Sequence, residues 1–162
     1  MIERTNHKLT TKFIYDNKII QKSGDARVYN NAILLTPGSW SDAMTKAPVE
    51  YTEEQLCKSA SRWEANYLNI DHSQGTLDRI GLVKNPKWYK GAVIADLCIY
   101  PITQNSKDSI ALIDAGFVNS LSVELSSVDR WDYQTNKRFA EDISFFGLAI
   151  CLNPACAGTR IK

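Results

Sequence analysis

Alternating hydrophobic and polar positions along the chain predict a sheet-rich fold. Residues 12–21 and 27–36 are rich in β-forming side chains and are separated by Ser23, Gly24 and Asp25, which predicts a hairpin. Further strands are predicted over residues 68–72, 78–85, 91–100, 120–128 and 139–152, with a turn at 134–136 before the last of them. These strands should supply most of the core.

Two helical segments interrupt the strand pattern. Thr52 is followed by acidic and amide residues in the form of a capping box, and apolar residues then recur at helical spacing, which predicts a helix over residues 53–67. Asn105 or Ser106 can cap a second helix that ends at Gly116. Strands with two inserted helices predict an α+β fold, with a mostly antiparallel, barrel-like core and two or more peripheral helices.

Composition narrows the classes of function. The 162 residues, 44% of them hydrophobic, suit one domain over residues 26–162, preceded by a polar segment and first strand over residues 1–25. Nineteen basic residues against 18 acidic ones give no strong positive field, so we expect no nucleic-acid partner. No apolar stretch suits a membrane span or signal peptide, which predicts an intracellular protein without a membrane partner. The four cysteines lack zinc-site spacing and there are two histidines, so we expect neither metal nor cofactor.

Candidate chemistry centres on His72 and on one polar strand face. His72 follows an apolar strand and precedes a turn, a position from which a scaffold can present a side chain. Strand alternation places Ser120, Ser122 and Glu124 on the face opposite the neighbouring leucines. A solvated strand face is the simple interpretation. The alternative is that a serine meets His72, because a hydroxyl becomes a useful nucleophile when a neutral imidazole accepts its proton.

Four segments resemble a known family. They are NIDHSQGTLDRIGLV, GAVIADLCIY, KDSIALIDAGFVNSLSVEL and ISFFGLAICLNPACAGTRI. In order and separation they resemble the prohead proteases of tailed bacteriophages and related archaeal viruses, which are similar to the herpesvirus assemblins. The resemblance runs from about residue 30 to residue 161, and its strongest elements are Asp71-His72, the serine in LSVEL and the strand leading into Asn153-Pro154-Ala155. It implies a serine and a histidine on a closed β-barrel surrounded by helices.

Carried over by residue, the resemblance makes His72 the catalytic histidine and Ser122 the nucleophile, with Ser120 as the alternate. Assemblins use a second histidine as the third member, and phage relatives use an acid. The other histidine here, His7, lies outside the resemblance, so we expect an acid. A Ser-His dyad is the alternative, because a family position that is often polar in relatives is Gly147 in this chain.

Several carboxylates compete for the third role. Asp142 is our first choice and Glu141 the alternate, because antiparallel pairing after the hairpin should bring one of them back towards Ser122. Asp71 should point to the opposite face of an extended segment unless the chain bends there. Glu124 should sit beside the nucleophile and not behind the imidazole.

Other prominent side chains have simpler explanations. Arg130 and Arg138 flank the predicted hairpin and are expected to be solvated charges, although an arginine can stabilise an oxyanion. Core packing is the expectation for the four tryptophans, Trp40, Trp63, Trp88 and Trp131.

The predicted function is that of a serine endopeptidase which cleaves scaffold, the removable segment of the capsid protein, and itself during prohead maturation. The resemblance places it inside the assembling head in the host cytoplasm and suggests a homodimer. It also implies a scaffold region beyond Lys162, which would make Lys162 a fragment end or a self-processing point. The alternative is a non-catalytic assembly module that binds scaffold or capsid protein, favoured by the missing second histidine and by Gly147.

Overall fold

Strands dominate the chain. The computed structural model describes residues 4–12, 20–23, 26–41 and 47–151. The strands are β1 (Arg4–Lys12), β2 (Ile20–Ser23), β3 (Ala26–Leu35), β4 (Gly38–Ser41), β5 (Pro48–Tyr51), β6 (Tyr67–Ile70), β7 (Arg79–Tyr89), β8 (Ala92–Ile99), β9 (Ser120–Asp132) and β10 (Lys137–Ile150). The helices are α1 (Glu53–Ser59) and α2 (Gln104–Asp114), with a 3₁₀ turn at Thr76–Asp78.

The strands form a single mixed sheet. Its main path runs β1-β9-β10-β6-β7-β8-β3-β2, while β5 pairs with β10 and β4 pairs with β5. All pairings are antiparallel except those of β10 with β5 and β6. The α+β class and the mostly antiparallel sheet are therefore confirmed. The predicted barrel is not, because within the described residues the path stays open, with β1 and β2 at its ends.

The first eight residues of β9 are buried on both faces of the strand. Leu121, Val123 and Leu125 belong to the hydrophobic core, and Ser122 and Glu124, which alternate with them, are buried as well. The expectation of a solvated polar face is wrong here. Buried polar groups are destabilising unless they find hydrogen-bond partners, so this face must carry an internal network.

Helix α1 is shorter than predicted because the segment that follows it forms hydrogen bonds with the sheet. Past Ser59, the backbone N–H of Glu64 donates to the carbonyl of Phe145 over 2.7 Å, and the N–H of Phe145 donates to the carbonyl of Arg62 over 2.9 Å. Trp63 stacks on Phe145 with ring centroids 5.0 Å apart. This pairing with β10 outweighs the helical periodicity that extended the prediction to residue 67.

Helix α2 forms where the sequence predicted it. Its N-cap is Thr103, and Ser106 completes a capping box from the N3 position, so the cap lies slightly upstream of the prediction. The helix ends before Gly116, whose φ of 76° is the left-handed conformation that favours glycine. No helix in the described part of the chain is long and apolar enough to cross a membrane.

Some predictions meet the structure only in part. Residues Ser23 and Ala26 are paired across the predicted first hairpin. Trp40, Trp63 and Trp88 pack against the core, whereas Trp131 is 42% exposed on the β9–β10 hairpin, so its core assignment is wrong. Three features fall outside the described residues: the side chain of His7, the Asn153-Pro154-Ala155 segment and Lys162.

Candidate active site

Two rows of side chains cross three neighbouring strands on the buried polar face. In the first row, Ser122 on β9 is paired with Ala149 on β10, which is paired with Asn69 on β6. In the second, Glu124 is paired with Gly147, and Tyr67 of β6 lies alongside. Partners in register point to the same face of a sheet, so small residues on the middle strand leave a trough between the outer strands.

His72 enters this trough from a tight turn at the end of β6. The N–H of Ser73 donates to the carbonyl of Ile70 over 2.8 Å, and both Asp71 and His72 have positive φ values, 47° and 58°. Two consecutive left-handed residues inside such a bond are the signature of a type I′ turn. The N–H of Asp71 donates to the carbonyl of Ile150 over 2.9 Å, which anchors the turn to β10.

The imidazole of His72 joins Ser122 to Glu124. Its Nε2 lies 2.7 Å from Ser122 Oγ and its Nδ1 lies 2.6 Å from Glu124 Oε1. An ionised carboxylate can only accept, so Nδ1 carries the proton and Nε2 of the neutral ring is left to accept from the Ser122 hydroxyl. This is the tautomer with which an imidazole can take a hydroxyl proton.

The carboxylate of Glu124 has a partner for each oxygen. The Tyr67 hydroxyl donates to Oε2 over 3.0 Å, while His72 occupies Oε1. Burial on its own would raise the pKa of Glu124, but the hydrogen bonds from His72 and Tyr67 outweigh it, and the pKa lies below its ordinary value. Burial and the bond to Glu124 raise the pKa of Tyr67, so the phenol remains a donor.

Gly147 makes this arrangement sterically feasible. A Cβ at this position would lie 2.7 Å from Glu124 Oε2 and 2.9 Å from the Tyr67 ring. Its lack of a side chain therefore opens the path along which the two groups meet. The dyad alternative, which took Gly147 as a lost member of the site, does not match a geometry in which Glu124 already contacts His72.

The turn that carries His72 is braced from behind. The carboxylate of Asp78 accepts from Ser73 Oγ over 2.5 Å and from the Asn105 side chain over 2.8 Å. Since Asn105 belongs to the first turn of α2, these bonds tie the segment after His72 to a helix. Hydrogen bonds to β10 before His72 and to Asp78 after it thus fix the turn that carries the imidazole.

A solved structure resembles the whole fold. Superposition with the bacteriophage T4 capsid assembly protease, gp21, gives a TM-score of 0.65 and covers 94% of this chain and 99% of that one, with 11% sequence identity. This chain has the fold of a phage capsid assembly protease. No family model matches the sequence, and no curated protein matches it. The resemblance stated from the sequence is confirmed at the level of the fold.

Within this capsid-protease fold, the structure does not bring either predicted acid to His72. Asp142 lies 2.5 Å from an Arg62 nitrogen, and Glu141 lies 2.6 Å from an Arg130 nitrogen, both at the surface. Glu141 is paired with Val128, six residues along β9 from Ser122, which at strand rise is a distance of roughly 20 Å. Asp142 and Glu141 therefore form ion pairs at the surface, and neither is the acid that contacts His72.

The acid that the structure brings to His72 is Glu124, which sequence reasoning had set aside. Residues two apart on a strand lie on one face about 7 Å from each other, and an imidazole crossing that interval reaches both. Being beside Ser122 is thus what lets Glu124 hold the far nitrogen of His72. The signal in the sequence was an acid two residues from a serine, on the polar side of an alternating strand.

The remaining candidates lie away from the imidazole. Ser120 Oγ donates to the Asn119 side chain over 3.4 Å, so the alternate serine does not make the contact that Ser122 makes. Arg138 lies 3.5 Å from Asp129 on the hairpin, as a pair of hairpin charges. Asp71 is exposed at the turn. Among the described side chains, Ser122, His72, Glu124 and Tyr67 form the connected site.

Proposed function

We propose that this chain is a serine endopeptidase that acts in viral capsid maturation, with Ser122 as nucleophile, His72 as general base and Glu124 as the acid that orients His72. The observation that carries the proposal is the unbroken hydrogen-bond chain from Ser122 Oγ through His72 to Glu124. Its setting, the fold of a capsid assembly protease, supports the same activity.

The geometry supports a two-stage acyl transfer. Ser122 Oγ attacks the peptide carbonyl carbon while His72 Nε2 takes the hydroxyl proton, and Glu124 stabilises the resulting imidazolium through Nδ1–H. The tetrahedral intermediate then collapses as Nε2–H gives its proton to the departing amine, which leaves an acyl-enzyme. A water molecule attacks this ester with His72 again as base, and Ser122 is released with its proton restored.

The substrates that we propose are polypeptide segments of capsid and scaffold proteins, together with this chain itself, inside an assembling head in the host cytoplasm. A groove of about 470 Å³ starts at Tyr67 and is lined by Arg79, Tyr100 and Ile102. Ile102 is 81% exposed at its rim. The groove meets the site at Tyr67, and its mixed apolar and polar lining suits part of an extended peptide. A homodimer, as in the assemblins, is part of the same proposal.

The decisive experiment uses a fluorophosphonate probe and intact-mass measurement. The wild type should be labelled once, with the adduct mapped to Ser122, and should release autocleavage products. Ser122→Ala should lose both signals, while Ser120→Ala, which alters a serine one strand period away on the same face, should keep both. A folded wild type without labelling or cleavage would instead favour the non-catalytic assembly module.

A further inference from the structure

Tyr67 is a titratable side chain at the site that the acyl-transfer steps leave unused. Its hydroxyl donates to Glu124 Oε2, the oxygen that His72 does not contact. A carboxylate held at one oxygen can rotate about its terminal bond, whereas donors at both oxygens fix its plane. The bond from Tyr67 therefore sets the direction in which Oε1 faces His72.

The surroundings of Tyr67 fix the position of its ring and hydroxyl. Gly147 leaves the space through which the ring passes, since any Cβ there would lie 2.9 Å from it. The guanidinium of Arg79 lies 4.5 Å from the centre of the ring and covers one face. The Tyr67 side chain is only partly buried, so filling the core is not its main contribution.

We propose that Tyr67 is a positioning residue, which acts through Glu124 to hold His72 in the orientation and tautomer that receive the Ser122 proton. This inference rests on the proposed peptidase function. It extends the chain of contacts to four members, Tyr67, Glu124, His72 and Ser122. The hydroxyl of Tyr67 donates to Glu124, and Ser122 bonds to His72, so the effect of this hydroxyl on the nucleophile passes through the carboxylate.

The first test is Tyr67→Phe, with Tyr133→Phe as the matched control on an 87% exposed tyrosine. Loss of a hydrogen bond to a charged group should lower kcat by about 10- to 100-fold with little change in KM. Unchanged kcat would overturn the proposal.

The second test does not require activity. The chain has two histidines, so the His72 Nδ1–H proton can be assigned in ¹H NMR by its loss in His72→Ala. Tyr67→Phe should shift or broaden this resonance, and Tyr133→Phe should not. If the wild type hydrolyses nothing but the resonance responds, the proposed function fails and the positioning role of Tyr67 stands. If the wild type hydrolyses peptides normally and Tyr67→Phe leaves the resonance unchanged, the proposed function stands and the positioning role of Tyr67 fails.

A further variant covers the case in which Tyr67→Phe does not fold. Replacing Tyr67 with 3,5-difluorotyrosine keeps the ring and the donor and makes the phenol more acidic. The resonance of His72 should then shift while the melting temperature stays near that of the wild type. A difluorotyrosine protein with an unmoved resonance would contradict the proposal.

Discussion

Gly147→Ala tests whether the space above the middle strand is needed by the site. The new Cβ would meet Glu124 Oε2 at 2.7 Å and the Tyr67 ring at 2.9 Å. A relaxed contact of ~3.4 Å requires the carboxylate oxygen to retreat by roughly 0.7 Å. Glu124 is 2% exposed and bonded at both oxygens, so it cannot retreat without lengthening at least one of these bonds.

The magnitude follows from that displacement. Misplacing a catalytic constellation by ~1 Å costs about 100-fold in rate, and losing the orienting acid of a triad altogether costs about 10⁴-fold. Gly147→Ala should therefore lower kcat/KM by roughly 10- to 100-fold, which corresponds to about 1.4–2.7 kcal/mol of transition-state stabilisation. The loss should fall on kcat, because the new Cβ meets the carboxylate that orients His72.

Hydrolysis of a peptide spanning a mapped autocleavage site provides the assay, with the His72 Nδ1–H resonance as an independent monitor. Gly116→Ala is the control for general destabilisation, because a Cβ there meets open space but φ is 76°. It should lower the melting temperature and leave kcat unchanged below the unfolding transition. Refutation would consist of a Gly147→Ala protein with wild-type kcat/KM and an unmoved resonance.

Three further outcomes are expected. Glu124→Gln should lower kcat by about 10³- to 10⁴-fold in a peptide assay while Asp142→Asn stays within a factor of two, and the opposite result would restore the original choice of acid. Asp78→Ala removes the acceptor of the Ser73 hydroxyl and should lower the melting temperature by roughly 3–8 °C in calorimetry, with no change if the brace is unimportant. The pKa of Glu124 lies below its ordinary 4.5, so its ionised form stabilises the fold above pH 4.5, and this contribution is lost as pH falls through the pKa of the folded state. The free energies of unfolding of wild type and Glu124→Gln, measured by denaturant titration, should therefore converge on acidification. A difference that stays constant with pH would contradict this.

The parts of the site that the sequence predicted depend on local chemistry. His72 lies at a strand end before a turn, and Ser122 lies on the polar side of an alternating strand, so short-range pattern and family resemblance pointed to both. Their meeting over fifty residues of chain was predicted and the structure confirms the contact. The end of α1 could not be predicted in this way, because it depends on pairing with β10, a strand distant in sequence.

The identity of the acid depended on two tertiary properties. One is burial: a solvated face was the simple interpretation for the strand side that carries Glu124, yet Glu124 is buried, and a buried carboxylate needs partners such as those that His72 and Tyr67 supply. The other is register, which the hairpin itself constrains. Asp132 is paired with Lys137, so a regular ladder would place Gly147 opposite Ser122, and the irregularities in β10 move that partner on to Ala149. Either partner excludes Asp142, which is still near the hairpin end of the ladder. A carboxylate on the serine's own strand was therefore the acid most compatible with hairpin geometry, and the glycine opposite it marks where a tyrosine from the next strand crosses.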